Sequence, residues 1–193
     1  MHRFFLSLSR LMAILGGIVL SAIILMVCVS IIGRTLNSIL HSGFAEMLLG
    51  GFAQTLIDWG LGPINGDYEL LEAGIAFCIF SFLPLTQITA GHATVDIFTN
   101  GLPVGVQRVL FALIEIIFAG VLVMIAWQLM HGMLDKMDRG QTTFLLQFPV
   151  WWAYAFSLIG AAAAAIVGVY TALARVYQVL TGSTLIVDEG AEH

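Results

Sequence analysis

The sequence predicts an all-α integral membrane protein: four transmembrane helices, plus an interfacial helix between the first and the second. Three observations carry that expectation. Hydrophobic residues make up 60% of the 193 positions and charged ones only 10%, and the mean hydropathy is +0.99. Soluble domains carry roughly 25% charged residues and have nowhere to hide so much apolar surface. Four apolar stretches are each long enough for a hydrocarbon core, which takes ~20 helical residues, and aromatic and charged residues gather at their ends.

The first span covers about residues 11–32, uncharged between Arg10 and Arg34. Arg3 and Arg10 would suit the basic region of a signal peptide. The apolar run, however, exceeds the ~7–15 residues of a signal core. No A-x-A-like site follows, and Leu25-Met26-Val27 before Cys28 fits a lipoprotein site poorly. A retained helix is expected.

Between the first two spans, Phe44, Met47, Leu48, Phe52, Leu56, Ile57 and Trp59 recur at helical spacing among polar Glu46, Gln54 and Asp58. An amphipathic helix at about 43–59, lying in the membrane interface, is expected. Gly60, Gly62, Pro63, Asn65 and Gly66 then read as a turn.

The second span covers about 70–90 and holds Pro84, which removes a backbone donor, with Gln87 one turn further on. The third covers about 107–130 and, from Val109 onward, is interrupted by Glu115 alone. The fourth covers about 150–174, uncharged up to Arg175, and a tail of 181–193 closes a single domain of 1–193. Trp127, Trp151, Trp152 and Tyr154 are expected at one interface, Tyr170 and Tyr177 at the other.

With the N-terminus inside, the cytoplasmic segments hold Arg3, Arg10, Arg108 and Arg175, against Arg34, Lys136 and Arg139 outside. The positive-inside rule leans only slightly towards N-in, C-in.

Few polar groups are available for chemistry. Glu69 and Glu72 share a face at the start of the second helix, and Arg34 emerges on the same side, so Arg34 is expected to pair with one of them. As paired acids they also admit an acid–base enzyme reading, but no nucleophile or ligand set converges on them, so no catalytic residue is expected. Glu115 lies seven residues past Arg108, about 10 Å along the helix. An ionisable group there faces a partner subunit, lines a wet crevice or reaches back to the interface.

Gly160, Ala164 and Gly168 form a small-residue face on the fourth helix that admits another helix closely, inside the chain or from a partner. Cys28 and Cys78 read as small core hydrophobes without metal-ligand spacing. His92 and His131 fall at opposite faces of the bilayer and cannot share one haem iron. Neither a cofactor nor a metal is expected. The formal net charge is −5, with seven basic residues spread singly, so nucleic acid is not an expected partner and membrane lipid is.

Taken in order, Glu69-Leu70-Leu71-Glu72, an apolar helix, and Gly91-His92-Ala93-Thr94-Val95-Asp96 form a landmark pattern. Leu102-Pro103 with Arg108, then Gln141, then Phe148-Pro149-Val150-Trp151-Trp152-Ala153-Tyr154 leading to Gly160 extend it. From about Arg10 to Leu180 the chain resembles the small (Q) membrane subunit of tripartite ATP-independent periplasmic (TRAP) transporters. The long first loop and Pro84 depart from that family's pattern.

The resemblance implies a bacterial inner-membrane complex of three proteins. A periplasmic solute-binding protein delivers the substrate, typically an organic acid. A large membrane subunit carries the substrate and coupling-ion sites. The small subunit scaffolds the large one, offers docking surface, and keeps both termini cytoplasmic. His92 and Asp96 would then form a cytoplasmic turn, with Asp96 near Arg108, and Pro149 and Trp152 join the interface candidates. A stand-alone four-helix channel or transporter is the alternative, although secondary transporters tend to show internal repeats and broken helices and this chain shows neither.

Overall fold

The computed structural model describes residues 2–41, 64–89 and 103–181. Four helices fill those segments: α1 (His2–Leu40), α2 (Asp67–Ile88), α3 (Val104–Asp138) and α4 (Trp151–Thr181). Each is long and apolar enough to cross a membrane. The interfacial helix expected at 43–59, the turn carrying His92 and Asp96, and the tail beyond Thr181 lie outside the described residues.

Three of the helices overrun their apolar spans widely. At 39 and 35 residues, α1 and α3 measure roughly 58 and 52 Å, against a hydrocarbon core of ~30 Å. Hydropathy marks only the stretch that lipid solvates, whereas a helix continues until something stops it. For α3 the limits are local. The Pro103 carbonyl accepts from the Val106 and Gln107 amides at 2.9 and 3.1 Å. At the other end Gly140, at φ 58°, takes the left-handed conformation that closes a helix.

Packing runs in the order α1, α2, α4, α3. Helix α4 lies between α2 and α3, while α1 leans on α2 and meets α4 more sparsely, as where Phe5 stacks on Tyr170 at 4.2 Å. That stack sets the start of α1 beside the later part of α4, so His2 and Thr181 belong to the same end of the bundle.

The centre is built from small residues, with Ala164 and Val167 wholly buried and Ala161 and Leu122 nearly so. Lipid tails are as apolar as leucine, so close backbone approach and polar contacts, rather than apolarity, hold such helices together.

Helix α1 buries a narrow seam: Ser9, Gly16, Ile23 and Ser30, seven residues apart each time, followed by Gly33 and Leu40. A strict seven-residue repeat keeps one stripe facing one partner. Opposite it on α2 stand Asp67, Cys78 and Ser81, all buried. A Cβ on Gly16 would stand 2.9 Å from Cβ of Ser81, and one on Gly74 would collide with Ile23. The Cys78 thiol donates to the Gly16 carbonyl at 3.3 Å. Cys28 is exposed on the outside of α1, contrary to the expectation of a core position, because it falls off the repeat.

Candidate functional site

Two hydrogen-bonded groups of polar side chains form inside the bundle, one at each end of α2. At its first residue, Asp67 Oδ2 accepts from Ser30 Oγ at 2.6 Å and from Arg34 Nη2 at 3.1 Å. Asp67 Oδ1 accepts from the Tyr68 amide at 2.9 Å, and the Arg34 guanidinium sits 5.6 Å from the Tyr68 ring centroid. The expected partners of Arg34 were Glu69 or Glu72, and the structure corrects this to Asp67. Two residues along a helix turn the side chain by about 200°, so when Asp67 faces α1, Glu69 faces away from it.

Glu69 has another task. Its carboxylate accepts the Leu145 amide at 2.6 Å and the Leu146 amide at 2.9 Å, clamping the loop between α3 and α4 onto the start of α2. That loop is folded on itself. Thr142 and Pro149 form an antiparallel bridge, the Val150 amide donates to the Gln141 carbonyl at 2.9 Å, and Lys136 Nζ donates to Gln141 Oε1 at 2.8 Å. Gly66 precedes α2 at φ 79°, where a Cβ would run into Leu146, so this position needs glycine on both counts. Glu72 remains exposed, with no ion-pair or hydrogen-bond partner among the described residues.

The second group forms at the penultimate residue of α2. Gln87 Nε2 donates to Glu115 Oε2, Thr171 Oγ1 donates to the same oxygen at 3.3 Å, and Gln87 Nε2 also lies 3.4 Å from Thr171 Oγ1. Glu115 of α3 thus docks onto α2 and α4 within the chain. Gln87 and Thr171 are almost wholly buried, as groups satisfied by one another must be in lipid. Asp67 and Gln87 are twenty residues apart, about 30 Å of helix, which is the thickness of a hydrocarbon core. The two groups therefore sit near the two surfaces of the apolar layer, and Glu115 belongs to an edge of it rather than to its middle.

The small-residue face of α4 is spent inside the bundle. A Cβ on Gly160 would stand 2.9 Å from the Phe80 carbonyl carbon and 3.0 Å from the Ser81 amide nitrogen, and one on Gly168 would stand 3.0 Å from Leu122. Ala164 joins Leu122 and Ala165 in the core. Pro149 accepts the Trp152 amide at 3.1 Å where α4 begins, and Trp152 and Arg108 are exposed. His131 accepts from Trp127 Nε1 at 3.3 Å, one turn back on its own helix. His92 and Asp96 are outside the described residues, so their relation to Arg108 is not described.

Asp67, Ser30 and Thr171 were missed in the sequence. The seven-residue run Ser9, Gly16, Ile23, Ser30 was the available signal for the first pair. For Thr171 the only signal was the need of a membrane-buried acid for donors on neighbouring helices.

A family model described as Tripartite ATP-independent periplasmic transporters, DctQ component, matches residues 47–178, more than half of the chain. Neither a curated protein nor a solved structure matches it.

Proposed function

Since the chain belongs to the DctQ-component family of TRAP transporters, and is thus a multi-pass small membrane subunit of such a transporter, we propose that it scaffolds the large membrane subunit and helps dock the solute-binding protein. The transport served is ion-gradient-driven uptake of an organic acid. Both termini are cytoplasmic in this reading, which puts the 139–150 loop and the start of α2 on the periplasmic side.

The observation that carries the scaffold reading is how the polar groups are used. Glu115, Gln87 and Thr171 satisfy one another, and Asp67 is taken by Ser30 and Arg34. These contacts fix helices relative to one another, as suits a rigid wall beside a moving transport subunit. The flanks stay apolar and outward: Ile14, Ile18 and Leu25 on α1, and Ile117, Met124 and Trp127 on α3, are exposed. For docking, the clamped loop offers Phe144 and Leu145 at its tip, 87% and 58% exposed.

Proteoliposome uptake tests the reading. Transport is expected only when this chain, the large subunit and the binding protein are present together, and the tagged chain should co-purify with the large subunit. Uptake by this chain alone would overturn it.

A further inference from the structure

We propose that the cleft between α2 and α4, under the 141–150 loop, binds a membrane glycerophospholipid with an ammonium headgroup, of the phosphatidylethanolamine class. The cleft measures about 520 Å³, within the range of ligand pockets, ~300–1,000 Å³. Glu69 and Glu72 stand at one end and Phe80 at the other, eleven residues or about 16 Å further along α2. An extended acyl chain fits that length.

Chemistry divides the cleft as an amphiphile would. Its lining holds two carboxylates and, among the described residues, neither Lys nor Arg. Glu69 is occupied by the loop amides, whereas Glu72 has no partner among the described residues and is open to a cation. A carboxylate with an ammonium makes a charge-assisted hydrogen bond, and a glycerol headgroup has no cation to offer.

Deeper, Ser157 is 1% exposed and lines the cleft. Its hydroxyl has no partner among the described residues. A buried hydroxyl in an apolar setting needs an acceptor, and the ester carbonyl of a glycerophospholipid supplies one below a headgroup held at Glu72. Ala76, Phe80 and Phe148 then give the upper part of one acyl chain an apolar wall.

The test is native mass spectrometry of the full chain, solubilised in its membrane complex, with phosphatidylethanolamine and phosphatidylglycerol supplied in equal amounts. The ethanolamine lipid should be retained roughly fivefold over the glycerol lipid, and Glu72→Gln should bring the ratio near one, a change of about 1 kcal/mol. Ala76→Phe, which fills the cleft while leaving the carboxylate in the chain, should lower retention of both. Equal retention by the unchanged protein, or a ratio unmoved by Glu72→Gln, overturns the proposal. So does a photoreactive side chain at position 76 that captures a peptide of the large subunit instead of lipid.

Discussion

Helices α4 and α1 are both long and apolar enough to cross a membrane, yet 56% of the most apolar stretch of α4 is buried against 11% of that of α1. Hydrophobicity does not order them. Helix α4 carries Gly160, Ala164 and Gly168 on faces that meet α2 and α3, so backbone reaches backbone and the gain comes from dispersion over a wide contact. Helix α1 spends one residue in seven on a seam and turns the bulky remainder outward, with its hold on α2 reinforced by Ser30 and Arg34 at one end. A wide contact of small residues fixes an inner helix, while a narrow stripe leaves a flank free to meet something else.

The comparison breaks most visibly at Gly160. Its added Cβ meets the backbone of Phe80 and Ser81, which cannot rotate away, so Gly160→Leu should cost about 3 kcal/mol, read as thermal unfolding of the purified chain by circular dichroism. The same change at Gly120 of α3, where nothing lies within 4 Å, should stay within about 0.5 kcal/mol. Similar losses at both positions would show that the α4 seam is nothing special.

Second in size is Glu115→Leu. It strips an acceptor from Gln87 and Thr171 and should cost about 2 kcal/mol. Combined with Gln87→Leu, the two losses should be clearly less than additive in a double-mutant cycle; simple additivity would separate Glu115 from the seam.

On α1, Gly16→Leu meets Cβ of Ser81, which is as fixed as the backbone, so α1 itself must give. With a narrow seam α1 can shift away, so about 1 kcal/mol is expected. An effect as large as that at Gly160 would mean the flank is as tightly fixed as the centre.

The smallest effect is at the polar end of that seam. Arg34 is half exposed, and an exposed pair is worth at most about 1 kcal/mol. A cycle between Arg34→Ala and Asp67→Ala should therefore show weak coupling. The cycle between Arg34→Ala and Glu69→Ala should show none, and coupling there instead would reverse the assignment of partners.

Much of the fold was legible because lipid imposes a one-dimensional rule: a spanning segment must be apolar over about 30 Å and must satisfy its own backbone. The four helices, the acids at the start of α2 and the special face of α4 followed from that rule and from residue size. Pairing was not legible in the same way. Whether Asp67 or Glu69 meets Arg34 depends on the rotation of α2, which composition does not encode. Glu69 could not be assigned to the loop from the chain alone either, since its partners are backbone amides 76 and 77 residues away and any residue type supplies an amide.

By itself, the sequence of this protein determined that it lies in a membrane, with which segments, and that its family is that of a small transporter subunit. Only the tertiary structure decided that α4 is the inner helix, that Glu115 is satisfied by Gln87 and Thr171, and that Asp67 rather than Glu69 anchors α1. The physical reason is that the transfer of a segment into lipid sums over its own residues, while helix pairing depends on where individual small and polar side chains meet. Those meetings exist only once the helices are packed.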